Sequence, residues 1–532
     1  TNLQNDTLLK SCLARLTDFK QAGATGVILA DWPLAFQPLA NASYPGNVKR
    51  FVDEANRLGL DIIPCVFPVG WSNGLLRNDP NLAAGLPVRD APFVVRGGVA
   101  VPVMPAQTVL KNGDFEDAIG DKLRGWSYAD NPGTTTFVDH AVFHHGGASL
   151  RIERPGETNR PSGNARVIQT LKVLPFQSYH LSLWVKTANF NRAADIRVAV
   201  LSDQTRQSHH FTDLNVRPNQ DWTQHHIVFN TLAATEVGLY IGVWGGGGGQ
   251  AWLDDIRLEP AGLCNLLRRD LCPLKVTSED GATVYTEGRD FEPVSDPRLG
   301  RTHGAVGEYE PWHEPPLLRL TPGSRLTEGQ NLKLSWFHPM VIYTDSVPVS
   351  IEDPKVFDLF KVEAEGAARL FGAKGYLMGY DEWRMGAWEL NDGRTAGEKL
   401  AAHARRATQI VRAAAPGATV YTWSDMFDPT HNAQPHYYLV NGSLEKSWEG
   451  LDKDVVIVNW NLGKFAASSA FFDGRGHKQV LAGYYDAPIE QLRPLLGVCA
   501  RTPGVTGLMY TTWQSNFRDL VSYFKLAADY RP

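Results

Sequence analysis

Apolar positions repeat along this chain with two different periods, and the changes of period divide it. Residues 7–22 carry Leu8, Leu9, Cys12, Leu13, Leu16 and Phe19 at helical spacing, and Gly23 follows as a stop. A short apolar run at 26–30 ends in Asp31-Trp32; a helical stretch at 47–58 then leads to a second run at 60–67. Strand, helix, strand at this pitch predicts βαβ units and a parallel sheet. From 108 to 259 the period changes to two. Short alternating runs such as 165–174, 179–187, 195–202 and 237–244 are separated by turns, which predicts an all-β sandwich, jelly-roll-like, inserted into the βα chain. Residues 260–330 remain strand-and-turn-like and read as a β-rich bridge. From about 354 the βα cadence returns, with helices at 354–371, 396–415, 488–499 and 517–529 and strands ending near 383, 427, 461, 486 and 513.

This count gives seven or eight strands with helices between them. The fold class expected is therefore α/β, a (β/α)8 TIM-type barrel interrupted by the inserted sandwich. Residues 1–107 form its first part, 108–259 the sandwich, 260–330 the bridge and 331–532 the second part. The chain begins on a helix, so the eighth strand is expected either ahead of Thr1 or in the run 331–338.

Composition narrows the function. The net charge is 52 − 57 = −5, which argues against a nucleic-acid partner. No run approaches the 18 or more apolar residues of a membrane span. Five cysteines match no zinc spacing. The paired histidines His144-His145, His209-His210 and His225-His226 are poor chelators on strands, where neighbours point to opposite faces. The Gly245–Gly249 run is followed by a strand rather than a helix, so it is a turn and no phosphate loop.

The informative excess is aromatic: 15 Trp and 17 Tyr. In a barrel the active site lies at the C-terminal strand ends. Those ends read Asp31-Trp32, 68–71, Asp381-Glu382-Trp383-Arg384, Trp423-Ser424-Asp425, Asn459-Trp460-Asn461, Tyr484-Tyr485-Asp486 and Trp513-Gln514. Rings pack on the C–H face of a sugar, and carboxylates bind its hydroxyls. Asp381 and Glu382 are adjacent carboxylates at one such end; their repulsion and the surrounding rings would raise one pKa, as a general acid requires. Glycoside cleavage needs that acid and a second group at the anomeric centre. A distant nucleophile would be Asp425 or Asp486; alternatively, a substrate's own 2-acetamido oxygen attacks.

The 375–516 stretch resembles the catalytic barrel of glycoside hydrolase family 20 and related β-N-acetylhexosaminidases. Asp381-Glu382, the tryptophans Trp423, Trp460 and Trp513, and Tyr484-x-Asp486 carry the resemblance in order. It implies a retaining exo-β-N-acetylhexosaminidase-like activity with substrate assistance and no catalytic cofactor. Glu382 would be the general acid/base, Asp381 the acetamide-orienting residue and Tyr484 the donor to the acetamide oxygen. Trp423, Asp425, Trp460, Asp486, Trp513, Arg384, Asp31 and Trp32 would line the sugar site. It also implies an oligosaccharide or glycoconjugate substrate and a secreted or periplasmic location. Two positions depart from the family: the last strand reads Trp513-Gln514-Ser515 without its Glu, and the first-strand Arg has no counterpart. Residues 108–259 resemble carbohydrate-binding modules of families 4, 9 and 22 through Asn112-Gly113-Asp114-Phe115-Glu116, Gly125-Trp126 and Trp252-Leu253-Asp254-Asp255-Ile256. That resemblance implies a structural Ca²⁺ held by Glu116 and Asp255. The rivals are a glycosidase with a carboxylate nucleophile acting on sugars without an acetamido group, and a non-catalytic glycan-binding protein.

Overall fold

The computed structural model describes residues 1–155, 163–191, 193–302, 304–343, 345–484 and 486–529. They form two compact units: Thr1–Ala84 with Pro348–Pro532, and Gly85–Val347.

The first unit is built on a seven-stranded sheet whose ladders are all parallel. Its strands are β1 (Gly26–Leu29), β2 (Asp61–Val66), β3 (Gly375–Met378), β4 (Thr419–Trp423), β5 (Val456–Asn459), β6 (Gln479–Ala482) and β7 (Val505–Met509). They lie side by side in chain order. The long helices are α1 (Asp6–Ala22), α2 (Tyr44–Leu58), α3 (Lys355–Phe371), α4 (Ala396–Ala414), α5 (Phe465–Gly474), α6 (Leu492–Arg501) and α7 (Leu520–Asp529). Local signals set their ends. Asn5 caps α1 by accepting from the Thr7 and Leu8 amides, and Gly23 ends it at φ 104°. Thr395 and Glu398 cap α4 reciprocally. β3 and β5 are buried at every position, as expected for strands covered on both faces.

The sheet curls. Ile28, Cys65, Leu377, Trp423, Val458, Ala482 and Met509, one from each strand, meet in a single apolar cluster. The first and last helical regions also meet, with the Phe19 and Phe517 rings 5.5 Å apart and the Arg15 guanidinium 4.7 Å from Phe517. The expected (β/α)8 barrel is nevertheless not what forms. Among the described residues the sheet has seven strands, and no ladder joins β1 to β7.

The run expected as an eighth strand, Asn331–His338, belongs to the second unit, where it pairs antiparallel with Leu86–Arg96. Those two strands sit at the middle of a six-stranded sheet with its own core, including Val88, Phe93, Leu266, Val276, Leu334 and Trp336. The two compact units part at 84/85 and 347/348, so the run 331–338 falls within the second. The segments flanking the insertion zip together before the parallel chain resumes.

The second unit also holds a β-sandwich of two five-stranded sheets. One carries Tyr128–Ala129, Ala165–Lys172, Glu236–Val243, Ile196–Ser202 and Gln207–Asp213. The other carries Thr136–Asp139, Ser149–Glu153, Gln250–Pro260, Ser178–Ala188 and Gln220–Asn230. Their facing residues, such as Val167, Leu181, Leu183, Val198, Ile227, Leu239 and Ile241, are fully buried. All five cysteines are free thiols. Among the described residues no helix is long and apolar enough to cross a membrane.

Candidate functional site

In the first unit, carboxylates from the C-terminal ends of β3 and β4 gather beside the ends of β2 and β5. β3 stops at Met378, and Glu382 has a left-handed backbone at φ 51°. That kink breaks the strand alternation that would send neighbouring side chains apart. The loop after β2 is laced to the same place. Val69 N–H donates to the Gly379 carbonyl at 2.8 Å, and Gly379 N–H donates to the Val66 carbonyl at 2.8 Å. Gly70 is required there: a Cβ would lie 1.8 Å from the Asp381 carbonyl oxygen.

This close approach delivers Trp71, whose indole Nε1–H donates to Glu382 Oε2 at 3.1 Å. The other Glu382 oxygen, Oε1, lies 2.5 Å from Arg384 Nη2. Arg384 is buried, and its guanidinium sits 5.6 Å from the ring centroids of both Trp71 and Tyr438. Asp425, fully buried beyond the end of β4, collects three donors: Glu382 N–H at 2.8 Å, Asn432 Nδ2 at 2.9 Å and Trp460 Nε1 at 3.0 Å.

Three carboxyl groups thus share one site with one guanidinium. Burial, then the charges of Asp425 and Glu382, push Asp381 up to about 7. Burial also raises Asp425, with Glu382 adding to the effect and His431 opposing it. Tyr437 feels the same field. Burial first, and then the charge of Asp425, hold its phenol well above the ordinary value. Trp513, 54% exposed, lies 6.2 Å from Trp423 and 6.3 Å from Trp460 between ring centroids, so three indoles stand beside the carboxylates. Crowded carboxyl groups beside an exposed indole are the components for protonating a leaving oxygen and receiving an oxocarbenium-like centre.

Of the expected site residues, the structure brings together Asp381, Glu382, Arg384, Trp423, Asp425, Trp460 and Trp513. It does not bring Tyr484 to them. That side chain is buried in the core of β6, α6 and α7, stacked on Tyr510 at 4.1 Å, and its hydroxyl donates to Asp519 at 2.8 Å. Asp486 accepts from Thr512 Oγ1, the Trp513 amide and the Gln514 amide at 2.5–3.2 Å, so it shapes the loop that presents Trp513. Tyr485 lies outside the described residues. Asp31 is likewise an anchor: it accepts from Leu3 N–H at 2.9 Å and Tyr44 Oη at 2.7 Å. Trp32 packs edge-on to Phe36 under the Arg77 guanidinium. Sequence reasoning missed Tyr437 and Asn432, which sit in a loop without periodicity. Trp71 was visible only as a residue near a strand end.

In the sandwich, the outward face of the first five-stranded sheet carries a row of side chains. Tyr128, Ile168, Tyr240 and Ala199 are successive cross-strand partners, so they share a side. Tyr128 is 51% exposed. A Cβ at Gly238 would come within 2.9 Å of Tyr240 Cε2, so the Tyr240 ring lies down over a position without a side chain. Charged pairs flank the row, Arg166 with Asp130 at 2.8 Å and Arg197 with Asp213 at 2.6 Å.

The Glu116 and Asp255 side chains both address the 144–148 turn, but not as a shared ligand set. Glu116 Oε1 accepts from the Gly147 and Ala148 amides at 2.6 and 3.0 Å. Asp255 is gripped by the Arg257 guanidinium through both oxygens. Among the described residues no three His, Cys, Asp or Glu side chains group to hold a metal ion. In this structure the two carboxylates are held by amides and by a guanidinium.

Residues 107–248 match the family model of a carbohydrate-binding domain, that of families 4 and 9. The inserted region is a carbohydrate-binding-module-like β-sandwich. Among solved structures, the chain is similar to a family 16 carbohydrate-binding module, with 21% identity over 28% of this chain and 98% of that one, at a TM-score of 0.21. It is similar to TmCBM61 in complex with β-1,4-galactotriose, with 17% identity over 29% and 99% at TM-score 0.22. It is also similar to the CBM22-1 xylan-binding domain of Paenibacillus barcinonensis Xyn10C, with 18% identity over 28% and 91% at TM-score 0.22. No curated protein matches the chain.

Proposed function

We propose that this protein binds a glycan through the outward sandwich face that carries Tyr128, Ile168 and Tyr240. The match of residues 107–248 to a carbohydrate-binding domain carries this reading. The surface chemistry agrees with it, since an exposed aromatic row flanked by charged pairs can stack on sugar rings and hydrogen-bond their hydroxyls. β-1,4-Galactan and xylan are the first ligands to try, because similar modules carry or are named for them. Affinity gel electrophoresis of the whole protein in gels containing either polysaccharide tests it. Retardation that Tyr240→Ala abolishes supports the site, and free migration through these and a wider polysaccharide panel removes it.

A second reading has its own observation, the cluster of Asp381, Glu382 and Asp425 beside Trp71, Trp423, Trp460 and Trp513. We infer that this site hydrolyses a glycosidic bond. A retaining β-N-acetylhexosaminidase-like reaction is the specific form proposed. The donor to the acetamide oxygen would then be Tyr437, because the Tyr484 hydroxyl is committed to Asp519. Aryl glycosides with and without a 2-acetamido group separate the cases. Cleavage of the N-acetyl sugars alone supports substrate assistance. Cleavage of plain glucosides or galactosides alone points to a carboxylate nucleophile.

A further inference from the structure

The loops that follow β1 and β2 build a second feature on the rim of the parallel sheet. Trp32 opens the 3-10 helical segment after β1, and Arg77 closes the helical turn Asn73–Leu76 after β2. The two loops are laced together. Asn78 Nδ2 donates to the Ala35 carbonyl at 3.0 Å and to the Leu75 carbonyl at 2.9 Å. A Cβ at Gly74 would lie 2.9 Å from Trp32 Nε1, so the indole rests against bare backbone. Phe36 stands edge-on to that indole, with ring centroids 4.9 Å apart. The Arg77 guanidinium carbon lies 4.8 Å from the Trp32 centroid and 4.4 Å from the Phe36 centroid. A cation is thus seated on two rings, of which Phe36 is buried and Trp32 is 36% exposed.

This cation has no counter-charge of its own. Arg151, Arg197, Arg384 and Arg475 also bury their Nε atoms, and each has a carboxylate oxygen within 3.2 Å. Arg77 pairs with no Asp or Glu among the described residues, and its buried Nε has no hydrogen-bond partner. The two acidic residues nearest in sequence are engaged elsewhere. Asp31 accepts from Leu3 N–H and the Tyr44 hydroxyl, and Asp79 accepts from the Asn81 amide. A guanidinium drawn against apolar rings gives up water without gaining an acceptor, and an unsatisfied buried donor calls for a reason. Its planar fork matches a carboxylate or a sulfate in two-point contact. The exposed indole beside it matches the C–H face of a sugar. One ligand class offers both groups together.

We propose that Trp32 and Arg77 form a binding subsite for an anionic sugar, with the indole stacked on the ring and the guanidinium holding its carboxylate or sulfate ester. The subsite is separate from the aromatic row of the sandwich and needs no bond cleavage. It rests on neither reading above. It lies in the loop that also carries Trp71 to Glu382, so it stands beside the carboxylate cluster and not within it.

Isothermal titration calorimetry of the full chain tests it with trigalacturonic acid, the methyl ester of that trisaccharide and a κ-carrageenan tetrasaccharide. The ester keeps the sugar rings and removes the charge. The carrageenan carries sulfate without carboxylate. The expected result is that the acid or the sulfated sugar binds at least about tenfold more tightly than the ester, and the tighter of the two names the anion. That affinity should fall as ionic strength rises. Arg77→Gln keeps the stem on the rings and removes the charge. It should lose about 10–100-fold for the anionic sugar and leave the ester unchanged. Arg77→Lys should recover only part of the loss, because an ammonium lacks the fork. Trp32→Ala should weaken anionic and neutral sugars alike, by about threefold to tenfold. Should Trp32→Ala fail to fold, the half-exposed Arg77→Gln decides alone. An anionic sugar held as tightly by Arg77→Gln as by wild type overturns the assignment, as does equal affinity for acid and ester or no binding of either anion. Retardation by neutral galactan or xylan is a separate readout, so failure of the sandwich reading and failure of this subsite are told apart.

Discussion

The carboxylate site of the parallel unit and the aromatic row of the sandwich solve different physical problems. At the first, charged groups are buried and bound to one another. Asp425 takes three donors, Glu382 takes two, and Arg384 is almost wholly enclosed. Such a network is costly to assemble, and removing one member leaves the others desolvated and unpaired. At the second, the rings of Tyr128 and Tyr240 lie on a partly exposed sheet face, where the Tyr128 hydroxyl donates to Asp130 at 3.0 Å. Reaction chemistry needs the first kind of place, because fields are strong where water is excluded. Reversible binding of a hydrated chain needs the second, where each ring adds a modest increment and little has to rearrange.

The comparison breaks most sharply at Gly70. Gly70→Ala puts a methyl carbon 1.8 Å from the Asp381 carbonyl oxygen, a backbone atom that no side-chain rotation can clear. The loop must back away, taking Trp71 from Glu382. Overpacking of this kind costs roughly 1–3 kcal/mol, and displacement of a reacting group by about 1 Å costs on the order of 100-fold in turnover. Aryl glycoside hydrolysis by the variant should therefore fall at least that far, while retardation in polysaccharide gels stays at the wild-type value. Equal losses in both assays would mean that the two sites are not separable. The converse variant, Tyr240→Ala, should lower polysaccharide affinity about tenfold, near the 0.5–1.5 kcal/mol typical of one aromatic contact. Aryl glycoside turnover, which needs no sandwich, should be unchanged.

Much of this division was legible in the sequence, because period is a local property. The alternation of runs such as 165–174 and 179–187 announced the sandwich, and the helix-strand cadence after 354 announced the parallel sheet. What failed was pairing over long separations. Asn331–His338 is apolar enough to read as a barrel strand, yet it pairs antiparallel with Leu86–Arg96 across more than two hundred residues. Nothing in either segment names its partner. The site shows the same pattern. Asp381, Glu382 and Asp425 stood at strand ends, where position alone marks them. Tyr484 also stood at a strand end and was misjudged, because the direction of its side chain depends on Asp519 and Tyr510 from later elements. Tyr437 lies in a loop whose path is set by Asn432 and the 385–386/439–440 strand pair, and no motif marks it.

The smallest expected effect is on stability, and its sign follows from the same crowding. Asp381 in the folded protein takes a proton near 7, against an ordinary carboxyl value of 3.8. Its folded pKa is raised, so between these values the native state binds more protons than the unfolded chain. Stability contributed by the protonated carboxyl is present in full below about 4 and is lost as pH rises through about 7. Asparagine at 381 keeps the shape but never ionises. Asp381→Asn should therefore melt near the wild-type temperature at pH 5 and above it at pH 8. A net relief of about 1 kcal/mol corresponds to roughly 2–4 °C for a unit of this size. Replacing Tyr240 in the sandwich should give no such pH-dependent difference, since no raised carboxyl pKa is coupled to its ring. Melts of wild type, Asp381→Asn and Tyr240→Ala at both pH values decide the point. A constant offset between Asp381→Asn and wild type would mean that Asp381 is ionised throughout.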